Sequence, residues 1–347
     1  MSTEAAKPPP QADVSIESVL GVQQHNLWQR IASAQSFWVT VALVAICLVM
    51  SWLQPASFAS AENFFNITRN FSFIGIMALG MTAVIATGGI DLSVGSIMGL
   101  TAVASGLVLE AHYPAWAAII VGLLAGGITG LINGLIIAYG GISPFVTTLG
   151  MLSIARSIAV VLSGNRMIYN FGPGGATFKA LGSGSLAVGP KFDLSYPLLF
   201  LIVLTVIFAV IYKMTSWGRH VLAIGGNEQA ALMTGVPVNR IKVQVYVVSG
   251  LAASFAAILS VGWTGSAINA LGVTYELLAI SAAVIGGANL MGGEASAYGA
   301  FIGAALIFVI RNSLLMAGVD SNWQGTFVGL FLIAAVYLGK VRGAKRE

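Results

Sequence analysis

The chain has 347 residues and a formal net charge of +4, with 8% charged and 57% hydrophobic residues and a mean hydropathy of +0.89. Soluble domains carry roughly 25% charged residues, so this composition excludes a soluble globular domain and points to a helical integral membrane protein. The basic residues sit in a few loops without interleaved aromatics, which excludes a nucleic-acid surface; Cys47 is the only cysteine, which excludes a disulfide framework and a thiolate metal site.

Residues 1–36 are largely polar, include Pro8-Pro9-Pro10 and are expected to form a flexible cytoplasmic tail. The first apolar run is 37–53. Ala59-Ser60-Ala61 after it resembles a signal-peptidase site, but the run is longer than a signal core and its leader is long, so it reads as an uncleaved span. Nine further spans are expected at 71–88, 92–109, 115–138, 144–162, 196–213, 243–262, 275–290, 296–317 and 323–340. The fold class is therefore all-α, a polytopic domain of about ten transmembrane helices over 37–340, followed by a short tail at 341–347. The 42 glycines lie within apolar runs and suit closely packed membrane helices. Segment 163–195 is long, polar and rich in Gly and Pro, an external loop with room for a short helix.

Ten spans place both termini on one side. Lys7, Arg30, Lys213, Arg219, Arg240, Lys242, Lys340, Arg342, Lys345 and Arg346 fall on that side, against Arg69, Arg166, Lys179 and Lys191 on the other. The positive-inside rule then puts both termini and the 213–242 loop in the cytoplasm.

That loop is the longest polar segment within the apolar chain, and its centre reads as a short helix over 228–234. Asn227 is the expected N-cap, with Glu228 in the first turn at the positive end of the helix dipole. Gly235 supplies a left-handed close and Pro237 blocks continuation. Leu232 and Met233 are apolar in a loop that faces water, which calls for a docking partner; a connector resting on the membrane surface is the alternative.

Between the second and third spans runs Thr87-Gly88-Gly89-Ile90-Asp91-Leu92-Ser93-Val94-Gly95-Ser96. Asp91 is an acid at the edge of the hydrocarbon, costly unless capped or hydrated. It is expected to cap the third span by accepting the amide of Ser93 or Val94, with Gly88 and Gly89 permitting the reversal; proton or cation binding is the alternative. The stretch Gly286-Gly287-Ala288-Asn289-Leu290-Met291-Gly292-Gly293 repeats the pattern GGxxLxxG with Asn289 in place of Asp91.

Arg156 and Arg311 are expected to snorkel toward the outer interface, with lining of an outer vestibule as the alternative. Asn133, Thr147, Thr148 and Asn312 are polar groups within spans that either line a translocation pathway, together with Arg156, or bond neighbouring helices. These amides and hydroxyls form no cluster of one charge sign and no aromatic cage, which suits a neutral polyhydroxylated cargo. His25, His112 and His220 are far apart and read as interfacial, so no metal site is expected. The chain has no phosphate loop, no HExxH and no nucleophile elbow, so no ATPase or covalent chemistry is expected of it.

Four stretches resemble one family: GMTAVIATGGIDLSVGSIMGL (80–100), TTLGMLSIARSIAVVLSGNRMI (147–168), GRHVLAIGGNEQAALMTGVPVNRIKV (218–243) and YELLAISAAVIGGANLMGG (275–293). They are similar, in order, to the permease subunits of ribose-type ABC sugar importers, and the resemblance spans about 58–339. It implies a ten-span permease of the bacterial inner membrane that moves a monosaccharide such as ribose, xylose or galactose from periplasm to cytoplasm. It implies as partners a second copy of the permease, a cytoplasmic ABC ATPase with two fused nucleotide-binding domains, and a periplasmic sugar-binding protein. No cofactor is then bound by this chain, and ATP-Mg sits on the ATPase. The segment matching Asn227, Glu228, Ala231, Leu232, Met233 and Gly235 is the family's coupling helix, which docks into the ATPase. Ser157 and Ala295 depart from the pattern, where glycine is usual. Related permeases for nucleosides and branched-chain amino acids share parts of this architecture and keep the cargo open. An ion-coupled secondary transporter would need paired acids or basic residues at mid-depth, which the sequence does not show, and a membrane enzyme would need a catalytic cluster, also missing.

Overall fold

The computed structural model describes residues 34–189, 192–320, 323, 325–327, 329–330 and 333. The expected tails, apart from residues 34–36, and most of the expected tenth span at 323–340 lie outside the described residues. In chain order the helices are α1 (Gln35–Leu53), α2 (Ala61–Ala86), α3 (Val94–Glu110), α4 (Ala115–Ala138), α5 (Pro144–Ser163) and α6 (Gly175–Ser183). A hairpin follows, β1 (Ser185–Gly189) and β2 (Phe192–Ser195), then α7 (Tyr196–Met214), α8 (Ser216–Gly226), α9 (Glu228–Met233), α10 (Val238–Thr264), α11 (Tyr275–Ile285) and α12 (Ala297–Met316). Among the described residues seven helices are long and apolar enough to cross a bilayer, namely α1, α2, α4, α5, α7, α10 and α12; α3 and α11 are apolar but shorter.

Helix α2 is the centre of the bundle. Every residue from Phe71 to Ala86 is buried, and a helix apolar on all sides is stable only when other helices surround it. It begins at Ala61 and not near residue 71, because its polar first turns are satisfied inside the protein. Ser60 Oγ caps it by accepting the Asn63 amide at 3.1 Å. Asn63 and Asn312 exchange amide hydrogen bonds at 3.3 and 2.9 Å. Arg69 Nη2 donates to Asn66 Oδ1 at 2.7 Å, and its guanidinium lies 4.2 Å from the Trp263 ring centroid, a cation–π contact.

Helices α4 and α10 pack backbone to backbone. Gly122, Gly126, Gly130 and Gly134 recur every fourth residue, so they form one stripe along α4. A Cβ on Gly126 would collide with Ser254 Oγ and Gly250 O, and one on Gly130 with Tyr246 O. Without a hydrophobic drive between helices in lipid, such close approach supplies the dispersion contacts that hold them. Gly126→Ala should therefore lower stability by about 1–3 kcal/mol through overpacking. Gly150, on the exposed side of α5, has no atom within 4 Å of a built Cβ, so Gly150→Ala should be neutral or slightly stabilising. Thermal unfolding in detergent reads both, and equal midpoints for the two variants would contradict the close approach.

The expected eighth span, 275–290, is a half-helix. Helix α11 ends at Ile285, where Gly287 takes a φ of +106°. The residues before it form an irregular segment, 265–274, that runs down the glycine face of α3. Ala267 pairs with Ile168 at the top and meets a Cβ built on Gly106 at 2.7 Å; Asn269 O lies 2.6 Å from one on Gly99; Gly272 O would collide with one on Gly95. From Gly106 to Gly95 is a descent of about 16 Å at 1.5 Å per residue. Backbone without regular hydrogen bonds is tolerated at such depth only when buried in protein or facing a water-filled cavity.

The fold also departs from an all-helical reading between α6 and α7. Strands β1 and β2 pair antiparallel, Ser185 opposite Ser195 and Leu186 opposite Leu194, with a bulge between Ala187 and Gly189. The 163–195 segment thus holds a helix and a hairpin. The Arg166–Glu110 ion pair, 2.6 Å, lies at this end of the bundle, and α8 and α9 lie at the other.

Candidate functional site

Two places gather the residues singled out from the sequence, and the first is the end of the bundle bearing α8 and α9. Asn227 Oδ1 accepts the Ala230 amide at 2.9 Å, which closes the first turn of α9. Glu228 stands in that turn and also takes Lys242 Nζ at 2.7 Å. Gly235 adopts a left-handed φ of +84°. Ala231 is buried, whereas Leu232 and Met233 are 63% and 88% exposed. A six-residue helix has no stability of its own in water, so the cap, the buried Ala231 and the Lys242 pair hold it in place. Beside it lies an open groove of about 670 Å³ lined in part by Tyr139, Leu232, Val236, Pro237 and Arg240. Two exposed apolar side chains on a tethered helix next to a groove form a surface suited to receiving another protein.

Helix α8, which the polar sequence of the loop concealed, joins this surface to the bundle. Thr215 Oγ1 caps it by accepting the Gly218 amide at 3.1 Å, and Trp217 Nε1 donates to Gln244 Oε1 at 3.0 Å. Its last turn rests on bare backbone: a Cβ on Gly225 would collide with Ala86 O and Gly293 N, and one on Gly292 would lie 2.7 Å from Gly225 Cα. Gly293 N in turn donates to Ala86 O at 3.0 Å. A displacement of α8 and α9 therefore bears directly on the end of α2 and on the loop between α11 and α12.

The second place is the turn before α3. Gly88 takes a left-handed φ of +79°, and Asp91 is fully buried. Asp91 Oδ1 accepts the Ser93 amide at 3.0 Å and the Ser93 hydroxyl at 2.6 Å, while Oδ2 accepts the Ser249 hydroxyl at 2.8 Å. Asn133 Nδ2 donates to Ser93 Oγ at 2.9 Å. One carboxylate thus ties the start of α3 to α10 and, through Ser93, to α4. Gly89 must be glycine because a Cβ there would sit 2.6 Å from the Tyr246 hydroxyl. Asn133 Oδ1, Thr147 Oγ1 and Tyr246 Oη are buried with no hydrogen-bond partner in the protein. Thr148 Oγ1 donates back to Pro144 O at 2.9 Å and approaches Ile90 O at 3.4 Å. Sequence reasoning missed Ser249 and Tyr246; no local signal marks residues so distant along the chain.

The echo at Asn289 repeats the local bond but not its setting. Asn289 Oδ1 accepts the Met291 amide at 3.0 Å, as Asp91 accepts that of Ser93. Asn289 itself is exposed, and among the described residues its side chain makes only this local bond.

Arg156 does not snorkel. Its guanidinium turns inward, where Nη1 donates to Asn269 O and, at 3.0 Å, to Leu271 O, and Nη2 donates to Gly95 O at 3.2 Å. The irregular segment leaves carbonyls unpaired, and a partly buried guanidinium with five donors satisfies them. Glu276, not singled out from the sequence, packs against the same Gly95. An acid and a base, one of each sign, therefore flank Gly95. Asn312 is remote from both places and pairs with Asn63, so it bonds a neighbouring helix. Arg311 lies over the Phe308 ring at 5.6 Å, beside a shallow groove shared with Asn66, Asn70 and Asn312.

Known proteins resemble the chain over nearly its whole length. A family model described as a branched-chain amino acid transport system permease component matches residues 63–336. A probable ABC transporter permease protein of Sinorhizobium fredii is 37% identical over 306 residues, covering 88% of this chain and 89% of the relative. The ribose import permease protein of Haemophilus influenzae is 36% identical, covering 88% and 93%, and an autoinducer 2 import system permease protein of Salmonella paratyphi B is 36% identical, covering 78% and 80%. No solved structure gives a significant match.

Proposed function

The chain belongs to the family of ABC transporter permeases, and from that premise we propose that it is the membrane subunit of a binding-protein-dependent importer for a monosaccharide. It is a multi-pass membrane protein and a transport subunit; ATP hydrolysis belongs to a separate subunit. The observation that carries the coupling is α9, which is capped, tethered and exposes Leu232 and Met233 on a chain without a nucleotide-binding motif. Leu232 and Met233 then form the surface that enters a cytoplasmic ATPase with two fused nucleotide-binding domains, where ATP-Mg is held, on a helix that Asn227, Glu228, Ala231 and Gly235 hold in place. A second copy of the permease completes the pore, and a periplasmic sugar-binding protein delivers cargo. The reading places ten spans in the bacterial inner membrane with both termini and the 213–242 loop cytoplasmic. It accords with the side on which α8 meets the end of α2 at Ala86 and the Gly292–Gly293 backbone.

The cargo reading draws on relatives that import ribose and on spans whose polar groups are mainly amides and hydroxyls. The family description favours a second reading, a branched-chain amino acid. Reconstitution with the ATPase and the external binding protein decides between them. ATP hydrolysis should rise only with sugar-loaded binding protein, and uptake should need no proton or sodium gradient. Sugar accumulation on a gradient without internal ATP would refute the importer; saturable leucine uptake with none of sugar would retain the machine and replace the cargo.

A further inference from the structure

Helix α5 and the irregular stretch before α11 meet on one outward face of the bundle, and that face carries charge at mid-depth. Arg156 follows Pro144, the first residue of α5, by twelve positions, about 18 Å along the axis where the hydrocarbon core is about 30 Å thick. Arg156 and Glu276 are both only partly buried and flank Gly95: its carbonyl accepts Arg156 Nη2 at 3.2 Å, and a Cβ on it would collide with Glu276 Oε2. They lie close enough to attract each other but form no direct ion pair: those within 4.0 Å among the described residues are Arg166–Glu110 and Lys242–Glu228. Around them Ser153, Ser157, Ala270, Val273, Thr274 and Leu277 are exposed. Lipid would make both features costly, since a charged group at this depth faces water, protein or a partner charge and irregular backbone is buried in protein or lines a cavity. The face is therefore unsuited to lipid.

The two charges are not equally free. The Arg156 fork is committed to three backbone carbonyls, whereas Glu276, in the first turn of α11, lies with Oε2 against Gly95 and joins no ion pair within 4.0 Å among the described residues. A carboxylate has about four acceptor sites, so acceptors remain for a ligand.

We propose that Glu276 is a cargo-contacting residue: its carboxylate accepts hydrogen bonds from the hydroxyls of a polyol moving along this water-filled face, and Arg156 positions the 269–272 turn that presents it. This rests on the sugar-importer reading, yet its test has an arm independent of transport. With Cys47→Ala as background, Ser157→Cys and Thr274→Cys should react with a charged thiol reagent in intact membranes. Leu124→Cys and Val206→Cys, at exposed apolar positions, should not. Equal protection of all four sites overturns the proposal without touching the importer assignment. In the reconstituted complex, Glu276→Gln should cut the sugar moved per ATP hydrolysed about tenfold, the scale of losing one charge-assisted hydrogen bond, with an unchanged thermal midpoint. An unchanged ratio overturns the proposal. So does a lowered midpoint with the ratio preserved, since Glu276 then only supports the fold. A wild-type complex that shows no sugar uptake at all fails the importer reading instead.

Discussion

Replacing Leu232 and Met233 together by Asp should leave the permease folded in the membrane and abolish ATP-driven transport. The two side chains are 63% and 88% exposed, and substitutions at such sites usually change stability by no more than about 0.5 kcal/mol. The helix that bears them is fixed from its other side by the Asn227 cap, the buried Ala231 and the Glu228–Lys242 pair. Docking changes the accounting, because an apolar anchor becomes a carboxylate buried in a cleft without a partner. That penalty is several kcal/mol, and at 1.4 kcal/mol per tenfold it weakens association by about a hundredfold or more. The expected result is a double variant that purifies with a wild-type melting curve but without the ATPase. Normal transport by that variant would reduce α9 to a connector and remove the basis for the coupling assignment.

How far the sequence reaches depends on how far apart the partners lie. Helix α9 is readable because Asn227, Glu228, Gly235 and Pro237 act on backbone within a few residues of themselves. The Asp91–Ser93 bond is readable for the same reason, and so is its echo at Asn289. The partners that make Asp91 more than a cap are not readable: Ser249 is 158 residues away, and Asn133 reaches Ser93 across 40. Helix α2 starts before its hydropathy rises, since Asn63, Asn66 and Arg69 count as polar until Asn312 and Trp263 are brought beside them. The broken eighth span escapes for a related reason. An apolar run does not reveal that residues 267–272 follow the glycine face of α3, and without that contact Arg156 looks like a side chain bound for the interface.

Asp91→Ala should be strongly destabilising, by about 3–5 kcal/mol. It strips acceptors from the Ser93 amide, the Ser93 hydroxyl and the Ser249 hydroxyl, all bonded to a carboxylate with no exposed surface. Each buried donor left unmet costs about 1–3 kcal/mol, and loss of the shared carboxylate also removes the bridge between α3 and α10. Asp91→Asn should cost less, about 1–2 kcal/mol. The amide oxygen retains both Ser93 bonds, and the Ser249 hydroxyl can rotate to accept from the new NH₂, because a hydroxyl both donates and accepts. The pair of variants separates a lock from an ion carrier. A lock predicts that turnover is indifferent to the charge at position 91, so Asp91→Asn should transport at a rate that tracks its modest loss of folded protein. A carboxylate that carries a proton or cation predicts the opposite, a stable Asp91→Asn protein that does not transport. Melting curves in detergent beside ATP-driven uptake in vesicles give both readouts on the same preparation, and an Asp91→Ala variant as stable as the parent would show that the buried cluster holds nothing together.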